Sequence, residues 1–316
     1  MNKPYQFKNF EILPFDFSNN PLIDEAICLL NAETTSKKHN RAFWDWKFLN
    51  NPFGPSVGWY ARENDTKKLA GVLLWWPWKF YNLNQEVIYY QAINGKTDSE
   101  YRNAGIFLEL NRVAIDFFRK GSNNLYGVPN NQSYPSYVKL GWETISTLNP
   151  VYIAISPIKT FLKILYNRKQ VDHKPTVSEL AGLRFEADNE SFLSTKWNQS
   201  LIEWRFLKHP NNTYSFYRDG ENFIVYKINP KAKFIEAKVI MTSITQSFEL
   251  KHFFNHLNSD DIDFVSYYGC NTLFYNILNK QVKKFKVNKN KLFLVVNNNF
   301  AGNFSYRFEL AATDSQ

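Results

Sequence analysis

The chain has 316 residues, of which 44% are hydrophobic and 17% aromatic, and its formal net charge is +9. This length fits two domains of about 100–200 residues each, and the apolar content excludes a largely disordered chain. The positive charge is compatible with nucleic acid, an anionic membrane or a phosphate-bearing small molecule, and it does not choose among them.

The cysteine content and the lengths of the apolar runs indicate the cellular compartment of the protein. The chain has only two cysteines, Cys28 and Cys270, and no CxxC pair, so structural disulfides and a cysteine zinc site are not expected. The N-terminus lacks the apolar stretch of a secretory signal, and no window of about 18–20 apolar residues predicts a membrane span. We therefore expect a cytoplasmic protein.

The first elements predict a helix followed by a strand meander. Residues 21–32 have apolar positions at helical spacing. The stretch "DWKFLNNP" follows at 45–52. Three β-like runs at 56–64, 68–80 and 86–95 are separated by turns, which predicts three antiparallel strands.

The hydrophobic period then changes to that of a helix. Residues 99–124 contain a stripe that a helix would place on one face. The stripe consists of Ile106, Leu110, Val113, Ala114, Phe117 and Phe118. Gly121 is a C-terminal stop signal. A short buried strand (125–130), a short helix (133–142) and a strand (143–155) are predicted after it.

The second half repeats the plan of the first. The stretch "EWRFLKHP" at 203–210 matches "DWKFLNNP", and the same order of elements follows each copy. A match in motif and in element order indicates tandem duplication. We predict an α/β (α+β) fold with two domains, 1–156 and 183–316, joined by a linker helix at 157–182. Each domain is expected to hold a mixed, mostly antiparallel twisted sheet flanked by helices.

The repeated stretch itself is predicted to build the fold. Both copies precede the strand meander, whereas a phosphate-binding signature occurs in only one half. The shared residues are therefore expected to anchor a helix end and the turn into the next strand. They are Trp46 and Trp204, Phe48 and Phe206, Leu49 and Leu207, and Pro52 and Pro210.

The junction "INGKTDSEYRNAGIFLEL" at 93–110 is the main candidate for chemistry. The first turn of a helix leaves backbone N–H groups without internal partners, and the helix dipole adds partial positive charge there. Gly105 removes a side chain where an anion would approach, and Arg102 adds a full charge. The junction therefore suits a diphosphate, although an ordinary helix start has the same features.

This junction resembles the acetyl-coenzyme-A-binding motif of the GCN5-related N-acetyltransferase superfamily. In that motif Arg or Gln is followed by two residues, Gly, one residue, and Gly or Ala. Arg102 and Gly105 match it, whereas Phe107 departs at the last position and Asn103 departs from the glycine common there.

The context of the motif extends the resemblance over about residues 6–155. A three-strand meander precedes the motif, and "YGVPN" with "YVKLGW" follows it. The later residues that match the family are Tyr137, Lys139, Gly141 and Trp142. The stretch "WKFLNNPFG" also resembles large two-domain members from bacterial surface-polysaccharide loci.

The resemblance implies an N-acyltransferase that uses acetyl-CoA or another acyl-CoA as co-substrate. The coenzyme would lie between splayed strands, and an acceptor amine would attack the thioester directly. A strand amide would polarise the thioester carbonyl, and Tyr137 would protonate the leaving thiolate. The coenzyme-binding residues would be Ile93, Asn94, Gly95, Arg102, Asn103, Ala104, Gly105, Ile106, Phe107 and Asn130.

The general base and the acceptor site stay open at this stage. Glu86, Asp98 and Glu100 flank the predicted site, and Glu100 also suits a helix N-terminus. A sugar-stacking platform and ordinary packing are both compatible with a tryptophan cluster. The cluster consists of Trp75, Trp76 and Trp78. The acceptor is expected to be a primary amine, with a free or nucleotide-linked amino sugar as one candidate.

No metal is expected, and the second half is predicted to lack the coenzyme site. His252 and His256 are four residues apart, but no glutamate follows the first, as a metalloprotease motif requires. The second half has no Arg-x-x-Gly at the matching place and no glycine from 221 to 268. Two alternatives remain: a tRNA-dependent aminoacyl transferase of the peptidoglycan-bridge type, and a non-catalytic ligand-binding or scaffold protein. Nucleic acid is not the favoured partner.

Overall fold

A computed structural model describes most of the chain and divides it into two compact units. The described residues are 4–34, 38–82, 85–121, 123–148, 151–156, 192–231, 234–268, 272–281, 292–297 and 305–306. The first unit comprises Met1–Phe80, Asn84–Thr147 and Leu292–Asn303, and the second comprises Tyr81–Leu83, Leu148–Lys291 and Phe304–Gln316.

The first unit is built on an eight-stranded sheet. Its strands are β1 (Tyr5–Phe7), β2 (Phe10–Pro14), β3 (Val57–Glu63), β4 (Leu69–Asn82), β5 (Gln85–Thr97), β6 (Asn124–Gly127), β7 (Glu143–Leu148) and β14 (Leu292–Asn297). Their spatial order is β1-β2-β3-β4-β5-β6-β14-β7. Its helices are α1 (Asn20–Asn31), α2 (Arg41–Trp44), α3 (Ile106–Lys120) and α4 (Tyr134–Lys139).

The second unit is built on a five-stranded sheet. Its strands are β8 (Val151–Ala154), β10 (Ser215–Asp219), β11 (Asn222–Pro230), β12 (Ile235–Ser243) and β13 (Phe264–Tyr267), in the order β10-β11-β12-β13-β8. A separate parallel pair joins β9 (Phe192–Leu193) to β15 (Ser305–Tyr306). Its helices are α5 (Gln199–Ile202), α6 (Leu250–Ser259) and α7 (Thr272–Gln281). Within the described ranges, no helix has the length and apolarity needed to cross a bilayer.

The two sheets share one plan, which confirms the predicted fold class. In each, consecutive antiparallel strands lead to one parallel pair, β5 with β6 and β12 with β13. Parallel strands need a crossover connection, and α3 and α6 lie in the two crossovers. The helical stripe at 106–118 and the glycine stop at 121 therefore serve a βαβ unit.

Each sheet also includes a strand from the other half of the sequence. Strand β14 pairs antiparallel with β6, and β8 pairs antiparallel with β13. The strand predicted over 143–155 is thus two strands, β7 and β8, in different sheets, and Pro150 between them has no N–H to donate to a ladder. The boundaries 1–156 and 183–316 remain a prediction about the duplication, and the linker at 157–182 lies outside the described residues.

The repeated stretch forms the same turn in both units. Asn40 and Asn198 cap α2 and α5 through their side-chain oxygens. Each helix then widens into a π-helical turn, at Asp45–Leu49 and Glu203–Leu207. In both turns an amide donates to the carbonyl five residues before it, at 2.8 Å. Such wide turns are often found at functional sites.

The side chains of these turns only partly follow the prediction. The predicted anchors Trp46, Phe48, Trp204 and Phe206 are buried. Leu49 and Leu207 are 50% and 39% exposed, so they do not anchor the turn as predicted. Lys47 and Arg205 are instead 0% and 1% exposed. A charged residue is almost never this buried without partners, so both copies hold a cation inside the fold.

Helix α3 packs directly on the sheet of the first unit. Gly71 in β4 lies beneath its first residue, because a Cβ added at Gly71 would be 2.8 Å from Cγ2 of Ile106. The buried face includes Ile115, whereas Phe117 of the predicted stripe is 38% exposed with its ring against Trp59. This packing fixes the start of α3 above β4 and β5.

Candidate active site

The loop from β5 to α3 is held by its own hydrogen bonds. The Asp98 amide donates to the Ala70 carbonyl at 2.9 Å, and the Asp98 carboxylate accepts from the Glu100 amide at 3.0 Å. Asn103 and Gly105 have φ of +66° and +89°. Residues other than glycine and asparagine adopt this left-handed region at a cost, so the sequence at these positions suits the loop.

Four of the five amides predicted to face a pyrophosphate are available. In the described part of the chain, the amides of Asn103, Gly105, Ile106 and Phe107 donate no hydrogen bond. Ala104 differs from the prediction, because its amide donates to the Tyr101 carbonyl at 3.3 Å. Free amides at the start of a 15-residue helix make a site for an anion.

Two cations border this loop. The Nζ of Lys8 donates to the Ala104 carbonyl at 2.8 Å. The Arg102 guanidinium forms an ion pair with the Glu33 carboxylate, and the two side chains are 55% and 47% exposed. A bound pyrophosphate would therefore compete with Glu33 for Arg102.

Replacing Glu33 by glutamine is expected to tighten coenzyme A binding about two- to fivefold, because exposed ion pairs contribute only about 0.2–1 kcal/mol. Calorimetric titration measures the change. Glu25→Gln is the matched control, because Glu25 pairs with Arg62 at 2.8 and 2.9 Å on another part of the first unit. An equal effect of both substitutions, or weaker binding by the Glu33 variant, would contradict the competition.

Strand β5 contains an irregularity at Asn94. Tyr90 and Ala92 pack against the core beneath α3. A Cβ on Gly95 would point to the same face, 2.6 Å from the Phe107 ring and 2.9 Å from Leu73. Strict alternation would place residue 95 on the opposite face, so one extra residue is inserted. Asn94, with φ of +49°, absorbs it as a β-bulge.

The bulge lies where β5 separates from β6. The parallel ladder between them ends at the pair Gln91 and Tyr126, while β5 continues to Thr97. Bulges increase the bend of a strand, and β6 itself ends at Gly127. Beyond Gln91, no described strand pairs with the β6 side of β5, so its backbone groups can bind an extended ligand. Ile93, Asn94 and Gly95 were predicted for this role.

Phe107 and Tyr137 meet beside this opening. Phe107 lies over Gly95, and its ring centroid is 6.4 Å from that of Tyr137. Tyr137 is 6% exposed and also packs edge-on against Trp142 at 4.9 Å. The departure from the family motif at Phe107 is therefore matched by Gly95, whose missing side chain leaves room for the ring. The structure thus brings Gly95, Phe107 and Tyr137 together.

Tyr137 lies on α4 in an apolar setting, after a turn that the Asn130 side chain orders. Asn130 accepts hydrogen bonds from the amides of Gln132 and Ser133, both at 3.0 Å, and so orders the start of α4. Burial raises the pKa of Tyr137 well above its ordinary value. The side chain is therefore a neutral phenol that can donate a hydrogen bond, but it matches the pKa of a thiol less well than predicted. Asn130 supports α4 in this structure.

The predicted acidic residues do not approach the bulge. Glu86 pairs with Lys79 at 2.6 Å, and eight residues of strand separate it from Asn94, roughly 26 Å at about 3.3 Å per residue. Glu100 and Asp98 both pair with Lys68, at 2.8 and 3.3 Å. Glu86 therefore lies far from the position expected for the thioester. Asp98 and Glu100 form ion pairs that stabilise the loop.

The tryptophan cluster favours the packing alternative. Trp75, Trp76 and Trp78 are all 0% exposed. Trp75 packs against Phe118 and Trp142, the Trp76 indole donates to the Gln91 side chain at 2.7 Å, and Trp78 packs against Phe53. A sugar can stack only on an exposed ring face, so these rings offer no platform as they are placed here.

Two residues at the bulge were missed by the sequence. The Nζ of Lys47 donates to Oδ1 of Asn94, and Nδ2 of Asn94 lies 3.4 Å from Nδ1 of His39. One signal for Lys47 was present, because the repeated stretch has a cation at this position in both copies, Lys47 and Arg205. His39 had no such signal.

In the second unit, the described loop before α6 lacks the features of the anion site. The residue before α6 is Glu249, whose carboxylate would repel a phosphate. The amide and hydroxyl of Thr245 bind the Asn222 side chain at 2.8 and 3.1 Å. In the described part of this loop no residue has a positive φ.

The histidines of α6 have ordinary polar partners. His252 contacts Asp219 at 3.1 Å, and His256 contacts the Tyr226 hydroxyl at 3.0 Å. Among the described residues, no group of three or more His, Cys, Asp and Glu side chains is arranged to hold a metal ion.

Comparison with solved structures shows what the fold resembles. N-myristoyltransferase of Saccharomyces cerevisiae with bound myristoyl-CoA has a TM-score of 0.55 at 12% identity, and the match covers 94% of this chain and 84% of that one. A protein of Enterococcus faecalis described as a probable N-acyltransferase has a TM-score of 0.58 at 12% identity, with 91% and 71% covered. A GCN5-related N-acetyltransferase of Anabaena variabilis has a TM-score of 0.58 at 13% identity, with 90% and 72% covered.

These matches extend over both units, so the chain has the fold of acyl-CoA-dependent N-acyltransferases, with two halves of the GCN5-related type. At such identities the likeness is one of fold. No protein-family model and no curated protein matches the sequence.

Proposed function

We propose that the protein is an acyl-CoA-dependent N-acyltransferase whose first unit holds the coenzyme. The observation that carries the proposal is the position of the free amides of α3 at the end of a bulged strand that separates from its neighbour. The amides suit the pyrophosphate, and the unpaired edge of β5 suits the extended pantetheine arm. A neighbour of the same fold has myristoyl-CoA bound.

The reaction would be a direct transfer in a ternary complex. The acceptor amine attacks the thioester carbonyl and the C–S bond breaks. The nitrogen loses one proton and the leaving sulfur gains one, so an amide and free coenzyme A are formed with no net change in protons. A backbone N–H near the bulge would bind the developing oxyanion, and the Tyr137 hydroxyl would donate to the leaving sulfur. Binding both reactants side by side supplies much of the acceleration.

We propose acetyl as the acyl group and a primary amine as the acceptor. The acetyl proposal is supported by the similarity of residues 102–105 to the acetyl-CoA motif. The amino-sugar acceptor, and the relation to enzymes of bacterial surface-polysaccharide loci, are supported only by the resemblance of the repeated stretch, because the tryptophan rings are buried. No observation favours the tRNA-dependent alternative.

A thiol-release assay tests the proposal. Coenzyme A esters from acetyl to myristoyl are combined with a panel of amines, amino sugars and peptides with free N-termini. We expect coenzyme A thiol to be released only when both the coenzyme A ester and an amine are present. In a separate thermal-unfolding measurement, coenzyme A at 100 times its Kd should stabilise the fold by about 2.7 kcal/mol. Stabilisation by coenzyme A without release on any amine would indicate the non-catalytic alternative, and stabilisation only by tRNA would indicate the aminoacyl transferase.

A further inference from the structure

The buried Lys47 has a specific place beside the candidate thioester position. Its side chain is 0% exposed, and its Nζ lies 5.2, 5.4 and 5.6 Å from the ring centroids of Phe43, Phe48 and Trp76. Aromatic faces stabilise a cation at this range. The ammonium is thus held in an aromatic cage, and it donates to Oδ1 of Asn94.

This contact fixes the orientation of the Asn94 side chain. An ammonium can only donate, so it must meet the carbonyl oxygen of the amide. The NH₂ group of Asn94 is thereby turned toward Nδ1 of His39, at 3.4 Å. Because that NH₂ donates, Nδ1 must accept, and neutral His39 carries its proton on Nε2. The half-buried imidazole also packs on Phe43.

The same contact bears on the backbone of β5. Asn94 is the bulge residue, and its left-handed φ of +49° costs free energy that the surrounding contacts must offset. A side chain held on one side by Lys47 and on the other by His39 restricts the bulge to one conformation. The amides next to the bulge are those proposed to meet the thioester.

We propose that Lys47 is a positioning residue for acyl transfer, acting through Asn94 on the bulge of β5 and on the tautomer of His39. The inference rests on the proposed function. Lys47 touches neither substrate in this account. Its loss is expected to lower the rate of the chemical step rather than the binding of the coenzyme, because the pyrophosphate site on α3 is separate from the cage.

The second unit supplies a matched control. Arg205 occupies the same position of the repeated turn, is 1% exposed and lies 5.9 Å from the Phe206 ring centroid. Strand β12, Ile235–Ser243, is described along its whole length, and no residue in it has a positive φ. A buried cation is therefore common to both turns, and β12 also has a register shift, because Val225 pairs with Met241 and Tyr226 with Val239. Of the two strands, only β5, beside Lys47, contains a residue with a left-handed φ.

The test compares Lys47→Met with Arg205→Met in the full-length protein. Both variants remove a buried cation, so similar losses of Tm are expected. Lys47→Met should lower kcat about 10- to 100-fold with less than a threefold change in KM for acetyl-CoA, whereas Arg205→Met should keep kcat within about twofold.

The ¹⁵N shifts of His39 should show the Nε2–H tautomer in the wild type and in Arg205→Met, and a mixture of the Nε2–H and Nδ1–H tautomers in Lys47→Met. Equal kcat losses, or unchanged His39 shifts in Lys47→Met, would overturn the inference.

Two variants of Asn94 keep the test decisive if Lys47→Met does not fold. Glycine adopts a left-handed φ without the cost that alanine meets, so Asn94→Gly should retain at least fivefold more kcat than Asn94→Ala. Equal kcat values would overturn a role for the bulge. The wild type could neither bind nor use any acyl-CoA while the His39 tautomer still depends on Lys47. The proposed function and the role of Lys47 in acyl transfer would then be wrong, whereas the contacts that hold the Asn94 side chain between Lys47 and His39 would be confirmed.

Discussion

Replacing Gly105 by alanine is expected to weaken coenzyme A binding about 10- to 100-fold without unfolding the protein. Gly105 has φ of +89°, and an added Cβ would meet only the Phe7 ring, at 3.6 Å. The free protein therefore accommodates the methyl group apart from left-handed strain, which costs about 1–2 kcal/mol. A bound pyrophosphate would meet that methyl group beside the amides of α3. Calorimetric titration gives the Kd, and thermal unfolding gives the cost to the fold.

Gly220→Ala is the matched control for this substitution. Gly220 has φ of +59° with nothing within 4 Å of an added Cβ, and it lies in the turn between β10 and β11 of the second unit. Its loss of Tm should resemble that of Gly105→Ala, while the Kd for coenzyme A should stay at the wild-type value. Equal Kd values in all three proteins would remove the start of α3 from the binding site.

Replacing Tyr137 by phenylalanine is expected to lower kcat about 100-fold and to leave the Kd for acyl-CoA within about threefold. The hydroxyl would act only as the thiolate leaves, and a positioned acid contributes about 10²–10⁴-fold. Because burial raises the pKa of Tyr137, the phenol stays protonated through neutral pH. The pH profile of kcat should therefore show no loss from tyrosine ionisation below about pH 10, the ordinary pKa of tyrosine.

Tyr134→Phe controls for changes in helix α4. Tyr134 lies one turn before Tyr137, stacks on Phe293 at 4.0 Å and contacts the Thr144 hydroxyl at 2.8 Å. Its kcat should stay within about threefold of the wild type. If both variants lose activity equally, the loss reflects the helix, and the assignment of Tyr137 as the acid would be wrong.

The features predicted from the sequence are those with local signals. The period change at 99–124 marked α3, and Gly105 marked the start of that helix as a place that an anion could approach. The repeated stretch with the same element order marked two similar halves. In each case neighbouring residues determine the outcome, because backbone conformation and amphipathic spacing are local properties.

The features that the sequence did not reveal depend on distant contacts. Strands β8 and β14 are short and buried, and nothing in their residues indicates that each joins a sheet built from the other half of the chain. Lys47 was overlooked because lysine is ordinarily exposed, and its burial depends on rings from α2 and β4. The bulge at Asn94 depends on the packing of Gly95 against the ring of Phe107, which lies on another element.

The number of coenzyme A molecules bound per chain tests the central claim most directly. Calorimetric titration of the full-length protein measures it together with the Kd. We expect one site per chain, lost or strongly weakened in Gly105→Ala and Arg102→Glu. A stoichiometry of two, binding that neither substitution affects, or no binding at all would contradict a single coenzyme site on the first unit.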